Sequence, residues 1–215
     1  MSTEAPIVPT SPSSVADPLG KGKYIQTAGC IIVGDEVLNG KTKDTNSNFF
    51  AQYCFDLGIE LKRIEVIADD EDEMRVSAKT NSHTQTDISP FSIEAARRMT
   101  EKYDFVVTSG GIGPTHDDIT YASLAKAFNL PLVHHPETLR RMWALTTPER
   151  RAELEKATPA QREARERMAL FPTQKEEGDV KSEAIFVEAD KWVPVVRLAG
   201  KVRNETNFTV SMASY

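Results

Sequence analysis

The residues Phe105-Val-Val-Thr-Ser-Gly-Gly-Ile-Gly-Pro-Thr-His-Asp-Asp-Ile-Thr120 restrict the fold more than any other stretch of the chain. Phe105, Val106 and Val107 are aromatic or β-branched and read as a short buried strand. Gly110, Gly111 and Gly113 let main-chain N–H groups approach a ligand closely, and Pro114 stiffens the exit. From Thr120 onward, Tyr121, Leu124, Ala125 and Phe128 recur at helical spacing, with Thr120 or Asp118 available as cap. A strand, a glycine turn and a helix start together form an anion site and announce an α/β layout. The loop lacks the Gly-Lys-Ser/Thr ending of a Walker A motif and the third glycine of a dinucleotide fingerprint. The same residues also admit a purely architectural reading, in which the glycines only make the turn and Asp117 and Asp118 only cap the helix.

A second segment has the same layout. Ile31-Ile-Val33 reads as a buried strand, and Gly34-Asp-Glu36 turns the chain with two acids at the strand end, where α/β sites sit. Asp44-Thr45-Asn46 then caps a helix with Phe50, Cys54 and Leu57 on one face and Phe49 and Tyr53 beside it. Further strands are expected at 26–34, 60–68, 104–108 and 184–198, the last interrupted at Pro194. Helices are expected at 44–57, 120–129, 137–146 and 148–170, the last broken by Pro159.

Together, Gly34-Asp-Glu-Val-Leu-Asn-Gly-Lys-Thr-Lys-Asp-Thr-Asn46 and Thr108 to Thr120 resemble the MoaB/Mog-type molybdopterin-binding domain. The branch they are most similar to is the one at the N-terminus of CinA-type proteins and animal FAD synthases. The likeness spans about Tyr24 to Gly200. It implies a three-layer αβα fold with a mostly parallel sheet, truncated at the C-terminus relative to the family.

The resemblance also implies site roles. Ser109, Gly110, Gly111, Gly113 and Thr115 would cradle a phosphate, with Thr45 and Asn46 in the ligand pocket. Asp118 would be the principal acid, joined in catalysis by Asp117 and Asp69. Asp35, Glu36 and Asp118 would hold a divalent cation, Mg²⁺ or alternatively Mn²⁺ or Co²⁺; a hard cation of this kind takes carboxylate, phosphate and water oxygens. The activity implied is hydrolysis of a dinucleotide diphosphate such as FAD or ADP-ribose to AMP and the other half. Molybdopterin binding or adenylation is the alternative, and a non-catalytic nucleotide- or pterin-binding module, acting as a homo-oligomer, is a third. His116 either donates a hydrogen bond to a phosphate or assists proton transfer near neutral pH, or is a surface turn residue. His83 and the pair His134-His135 receive no role.

Two departures from the family pattern stand out. The polar stretch 75–92 falls within what otherwise reads as one amphipathic helix carrying Met74, Ala96, Met99 and Tyr103 at steps of four, three and four, and so is expected as an inserted loop. After 192–200, relatives continue into another strand, a Pro-Gly-x-Pro loop and a helix, whereas 201–215 here read as an atypical tail. Retained introns would account for both, since Val76-Ser77 and Val202-Arg203 can each be encoded by a splice-donor sequence, and sequencing the transcript tests this.

Composition bounds the partners. A net charge of −6 argues against nucleic acid and anionic membrane, and the small-molecule nucleotide or pterin partner is what the resemblance implies. Two cysteines, Cys30 and Cys54, each in an apolar pattern, read as free buried thiols in a reducing compartment, and a cytoplasmic location is expected. No apolar run approaches the ~18–20 residues of a membrane span. The Pro/Ser/Thr-rich residues 1–23 lack an apolar signal core and read as a disordered tail.

Overall fold

In the computed structural model, the described residues are 24–68, 90–115, 118–175, 179–202 and 205–212. The elements are β1 (Thr27–Val33), α1 (Asp35–Leu38), α2 (Asn46–Asp56), β2 (Glu60–Ile67), α3 (Pro90–Lys102), β3 (Phe105–Ser109), α4 (Thr120–Ala127), β4 (Leu132–His134), α5 (Pro136–Ala144), α6 (Pro148–Glu155), α7 (Pro159–Arg167), β5 (Leu170–Pro172), β6 (Lys181–Ile185), β7 (Val195–Val202) and β8 (Glu205–Met212). Six strands form one sheet in the order β2-β1-β3-β8-β7-β6, and β4 and β5 pair separately. The β2, β1, β3 and β8 ladders are parallel, while β7 and β6 add antiparallel pairs at one side.

The period-two alternation of β1 creates the layers. Ala28, Cys30 and Ile32 pack with Phe50 and Cys54 of α2, while Ile31 and Val33 pack with Ala95 and Met99 of α3 and Val106 of β3. A strand covered on both faces must be apolar throughout, which is why β1 reads as a nearly continuous hydrophobic run. The α3–α4 contact is sealed by Ala96, Leu124, Ala127 and Leu198. Asp104 ties the start of β3 to β1: its Oδ2 accepts from Gln26 N, Thr27 N and Thr27 Oγ1 at 2.9–3.0 Å. The three-layer α/β architecture expected from the sequence is the one observed.

Several boundaries differ from expectation. The interrupted run 184–198 is two antiparallel strands, β6 and β7, because Pro194 has no N–H to donate and the chain reverses before it. The helical run 148–170 is α6 and α7, separated where Thr158 and Gln161 form a capping box with Pro159 in the first turn. The chain then enters β5 at Leu170. Leu57 lies outside the core at 56 % exposure, since α2 ends at Asp56 and Gly58 turns the chain in the left-handed region at φ +70.

Residues 90–92 belong to α3 rather than to the inserted loop; Pro90, with no N–H to satisfy, is suited to a helical first turn. Ala96 and Met99 are buried along α3 as the spacing requires. Residues 201–202 complete β7, and 205–212, expected in an atypical tail, are the strand β8. This segment pairs Phe208 with Phe105 and Val210 with Val107, so both β3 and β7 gain a hydrogen-bonded neighbour instead of an open edge. The expected tail 1–23, most of the expected insertion and His83 lie outside the described residues.

Candidate functional site

The glycine loop sits where β1 and β3 end side by side. Gly110 and Gly111 have φ of +94 and +62, a region closed to most side chains. A Cβ on Gly110 would lie 2.0 Å from the Val33 carbonyl oxygen, so the loop rests directly on the end of β1. Thr120 fixes it from the other side: its Oγ1 donates to Gly110 O at 2.7 Å and its N to Gly111 O at 3.0 Å. Thr120 thus ties down the loop and does not cap α4, whose N-cap position is Ile119. With these two carbonyls engaged, the N–H groups of Gly111, Ile112 and Gly113 donate no hydrogen bond among the described residues. A row of free N–H groups at a strand end beside a helix start is the arrangement that receives an anion.

Asp118 holds the far side of the loop. Its Oδ2 accepts from Thr115 N at 2.8 Å and Thr115 Oγ1 at 2.5 Å, and it lies so close to Gly113 that a Cβ there would be 2.6 Å away. The structure therefore unites Gly113, Thr115 and Asp118. It also unites Asn46 and Ser109, which come from segments 63 residues apart: Asn46 Nδ2 donates to Ser109 Oγ at 2.9 Å. Thr45 is exposed and makes no capping bond; Asp44 does so instead, accepting from Ser47 N at 2.9 Å and from Ser47 Oγ. Arg167 of α7 donates to Pro114 O at 3.1 Å, a tether that no sequence pattern announces.

Asp35 and Glu36 open the short helix α1 directly after β1. Asp35 is half-buried, and the Glu36 carboxylate folds back over Gly34. Gly34 N donates to Ile67 O at 3.1 Å, placing the ends of β1 and β2 together. Asp69, Asp117 and His116 lie outside the described residues. Among the described residues, no three His, Cys, Asp or Glu side chains come together as a metal-holding group. His135, which sequence reasoning left without a role, caps α5 through Thr138 and stacks against Phe171 at 5.6 Å. Its pKa is pushed down by burial.

Away from the loop, Cys30 and Cys54 are free and buried, as expected. Burial, then the nearby Asp44 and Cys54, pushes the Cys30 thiol up to about 12. Burial raises the Glu65 pKa, but hydrogen bonds from Arg98 and Arg63 outweigh it and hold the carboxyl below the usual range. No helix among the described residues is long and apolar enough to cross a membrane.

An open, mostly parallel α/β sheet with a glycine loop where two strands end side by side places the chain in the open-sheet α/β class. The family model described as "Probable molybdopterin binding domain" matches residues 29–173, and the chain belongs to that family. Among its relatives, a "Probable FAD synthase" of Caenorhabditis briggsae is 37% identical over 116 residues, covering 54% of this chain and 18% of that protein. A "CinA-like protein" of Anaeromyxobacter sp. (strain K) is 33% identical over 109 residues, covering 51% of this chain and 22% of that protein. The chain thus matches about a fifth of the length of these two curated relatives. The crystal structure of CinA, of unknown function, from Thermoplasma acidophilum superposes with a TM-score of 0.58 at 24% identity, over 88% of this chain and 90% of that one, and shares its fold.

Proposed function

We propose that the loop from Ser109 to Thr115 binds a phosphate of a dinucleotide and that the domain hydrolyses the diphosphate with the help of a divalent cation. The observation that carries this reading is the set of free N–H groups on Gly111, Ile112 and Gly113, facing no partner among the described residues. Such groups hold the non-bridging oxygens of a phosphate. Asn46 and Ser109, joined to each other, line the cradle where a ribose or phosphate oxygen exchanges for their mutual bond. Asp118 keeps Thr115 and hence the loop in the binding shape. The FAD synthase name of a relative guides the choice of FAD and ADP-ribose as substrates.

Asp35, Glu36 and Asp118 do not gather into one group among the described residues, but each is a hard oxygen donor, and Mg²⁺, which keeps several waters and binds phosphate oxygens, needs only one or two carboxylates from a protein. Mn²⁺ and Co²⁺ are the alternatives. Bound there, the cation would neutralise the diphosphate and lower the pKa of a water for attack on phosphorus. Asp118 would be the principal acid, and Asp117 and Asp69, outside the described residues, would join it only as the family resemblance implies. The balance is one water added across one P–O–P bridge: FAD gives AMP and FMN, and ADP-ribose gives AMP and ribose 5-phosphate.

The test is AMP release from FAD and ADP-ribose with Mg²⁺, Mn²⁺ or Co²⁺, for wild type and Asp118→Ala. Metal-dependent AMP that disappears in the variant is expected, whereas turnover in EDTA or in Asp118→Ala would refute the mechanism. The family match favours molybdopterin binding as a second reading. A fluorescent pterin retained through purification, with no AMP released, would establish it instead.

A further inference from the structure

A groove of about 540 Å³ opens between Pro114, the residue that closes the glycine loop, and the pair α6 and α7. Its size is that of a small-molecule site. Its wall carries Arg150, Lys156 and Arg165 against a single carboxylate, Glu153, in a chain whose net charge is −6. Glu153 is already engaged by Arg150 at 2.5 Å. Lys156 has no ion-pair partner among the described residues. Arg165 is anchored by Met142 O and Thr146 Oγ1 at 2.9 and 2.7 Å and makes no ion pair among the described residues. Its pKa is lowered first by burial and then by the Arg150 guanidinium, which is itself paired with Glu153. An anion entering the groove relieves that repulsion. Arg167 on α7 donates to Pro114 O at 3.1 Å and so tethers the end of the loop to this wall.

We propose that this groove receives the second phosphate and the attached half of a dinucleotide whose first phosphate lies in the glycine loop, with Lys156 and Arg150 selecting a diphosphate-linked ligand over a mononucleotide. This rests on the preceding reading of the loop. α6 and α7 are then a specificity wall, and AMP, which ends at its single phosphate, does not reach it.

The experiment is calorimetric titration of the full chain with AMP and with ADP-ribose, in EDTA and again in Ca²⁺, for wild type, Arg150→Ala and Lys156→Glu. Arg150 lies on α6 and Lys156 is its C-cap residue; both are exposed, so their substitution leaves the core intact. Loss of one charge-assisted phosphate contact weakens ADP-ribose by about tenfold or more in Lys156→Glu, while AMP changes less than about twofold because it makes no contact with that wall. Equal weakening of both ligands, or no change in ADP-ribose, overturns the groove assignment and leaves the loop reading standing. Failure of wild type to bind either ligand overturns the loop reading and the groove with it.

Discussion

Replacing Gly110 with alanine tests whether the loop is seated on β1 as described. The new Cβ would fall 2.0 Å from the Val33 carbonyl oxygen, and ordinary contact requires the two to separate by roughly 1.4 Å. The obstacle is backbone at the last residue of β1, paired with Ile67 of β2, so it cannot swing away as a side-chain tip can. The left-handed φ of +94 adds about 1–2 kcal/mol for any residue with a Cβ, and overpacking adds about 1–3 kcal/mol. The sum is about 2–5 kcal/mol, a large share of the stability of a domain. Gly58→Ala is the matched control: its φ is +70, but nothing lies within 4 Å of the added Cβ, so only the conformational cost of about 1–2 kcal/mol remains. In urea unfolding, with a slope of about 2 kcal/mol per molar, Gly110→Ala should lower the midpoint by about 1–2.5 M and Gly58→Ala by less than about 1 M. Equal shifts for the two would refute the close packing of the loop on Val33.

Glu65 on β2 receives Arg98 of α3 at 2.7 Å and Arg63 at 3.0 Å. With its folded-state pKa lowered, Glu65 contributes stability that is full above the ordinary carboxylate range and is lost as pH falls through the lowered value. Glu65→Gln should therefore cost about 1–2 kcal/mol at neutral pH and converge with wild type in acid; a difference that persists unchanged at low pH would exclude the ion pair as its cause. The two cysteines should resist thiol reagents in the native protein, since Cys30 is pushed up to about 12 and the Cys54 thiol is also raised by burial. Both should react once urea unfolds the chain, and rapid labelling of either in the folded state would contradict the packing of β1 on α2.

The local pattern of the chain carried much of the fold, for reasons visible in particular residues. Ile31 to Val33 and Phe105 to Val107 are apolar at every position because each strand is covered on both faces, and that run survives in any reading of the sequence. Helical spacing likewise located α2, α4 and the buried side of α3. The reversal between β6 and β7 was harder to see, because a single Pro194 marks it. Nothing local distinguishes the partner of β8 either: the segment 205–212 is a plain strand former whose place depends on two neighbours about 100 and 10 residues away.

The same division applies to the site. By itself the sequence determined that glycines follow a buried strand and precede a helix, and that acids follow two strand ends, since turn chemistry and periodicity are properties of adjacent residues. Only the tertiary structure decided that Asn46 meets Ser109, that Thr120 serves the loop rather than capping its own helix, that Asp118 is spent in part on Thr115, and that Arg167 ties α7 to Pro114. Each of these is a bond between groups whose spacing along the chain fixes neither distance nor direction. Chain order sets which groups are available, and the packing of the layers sets which of them touch.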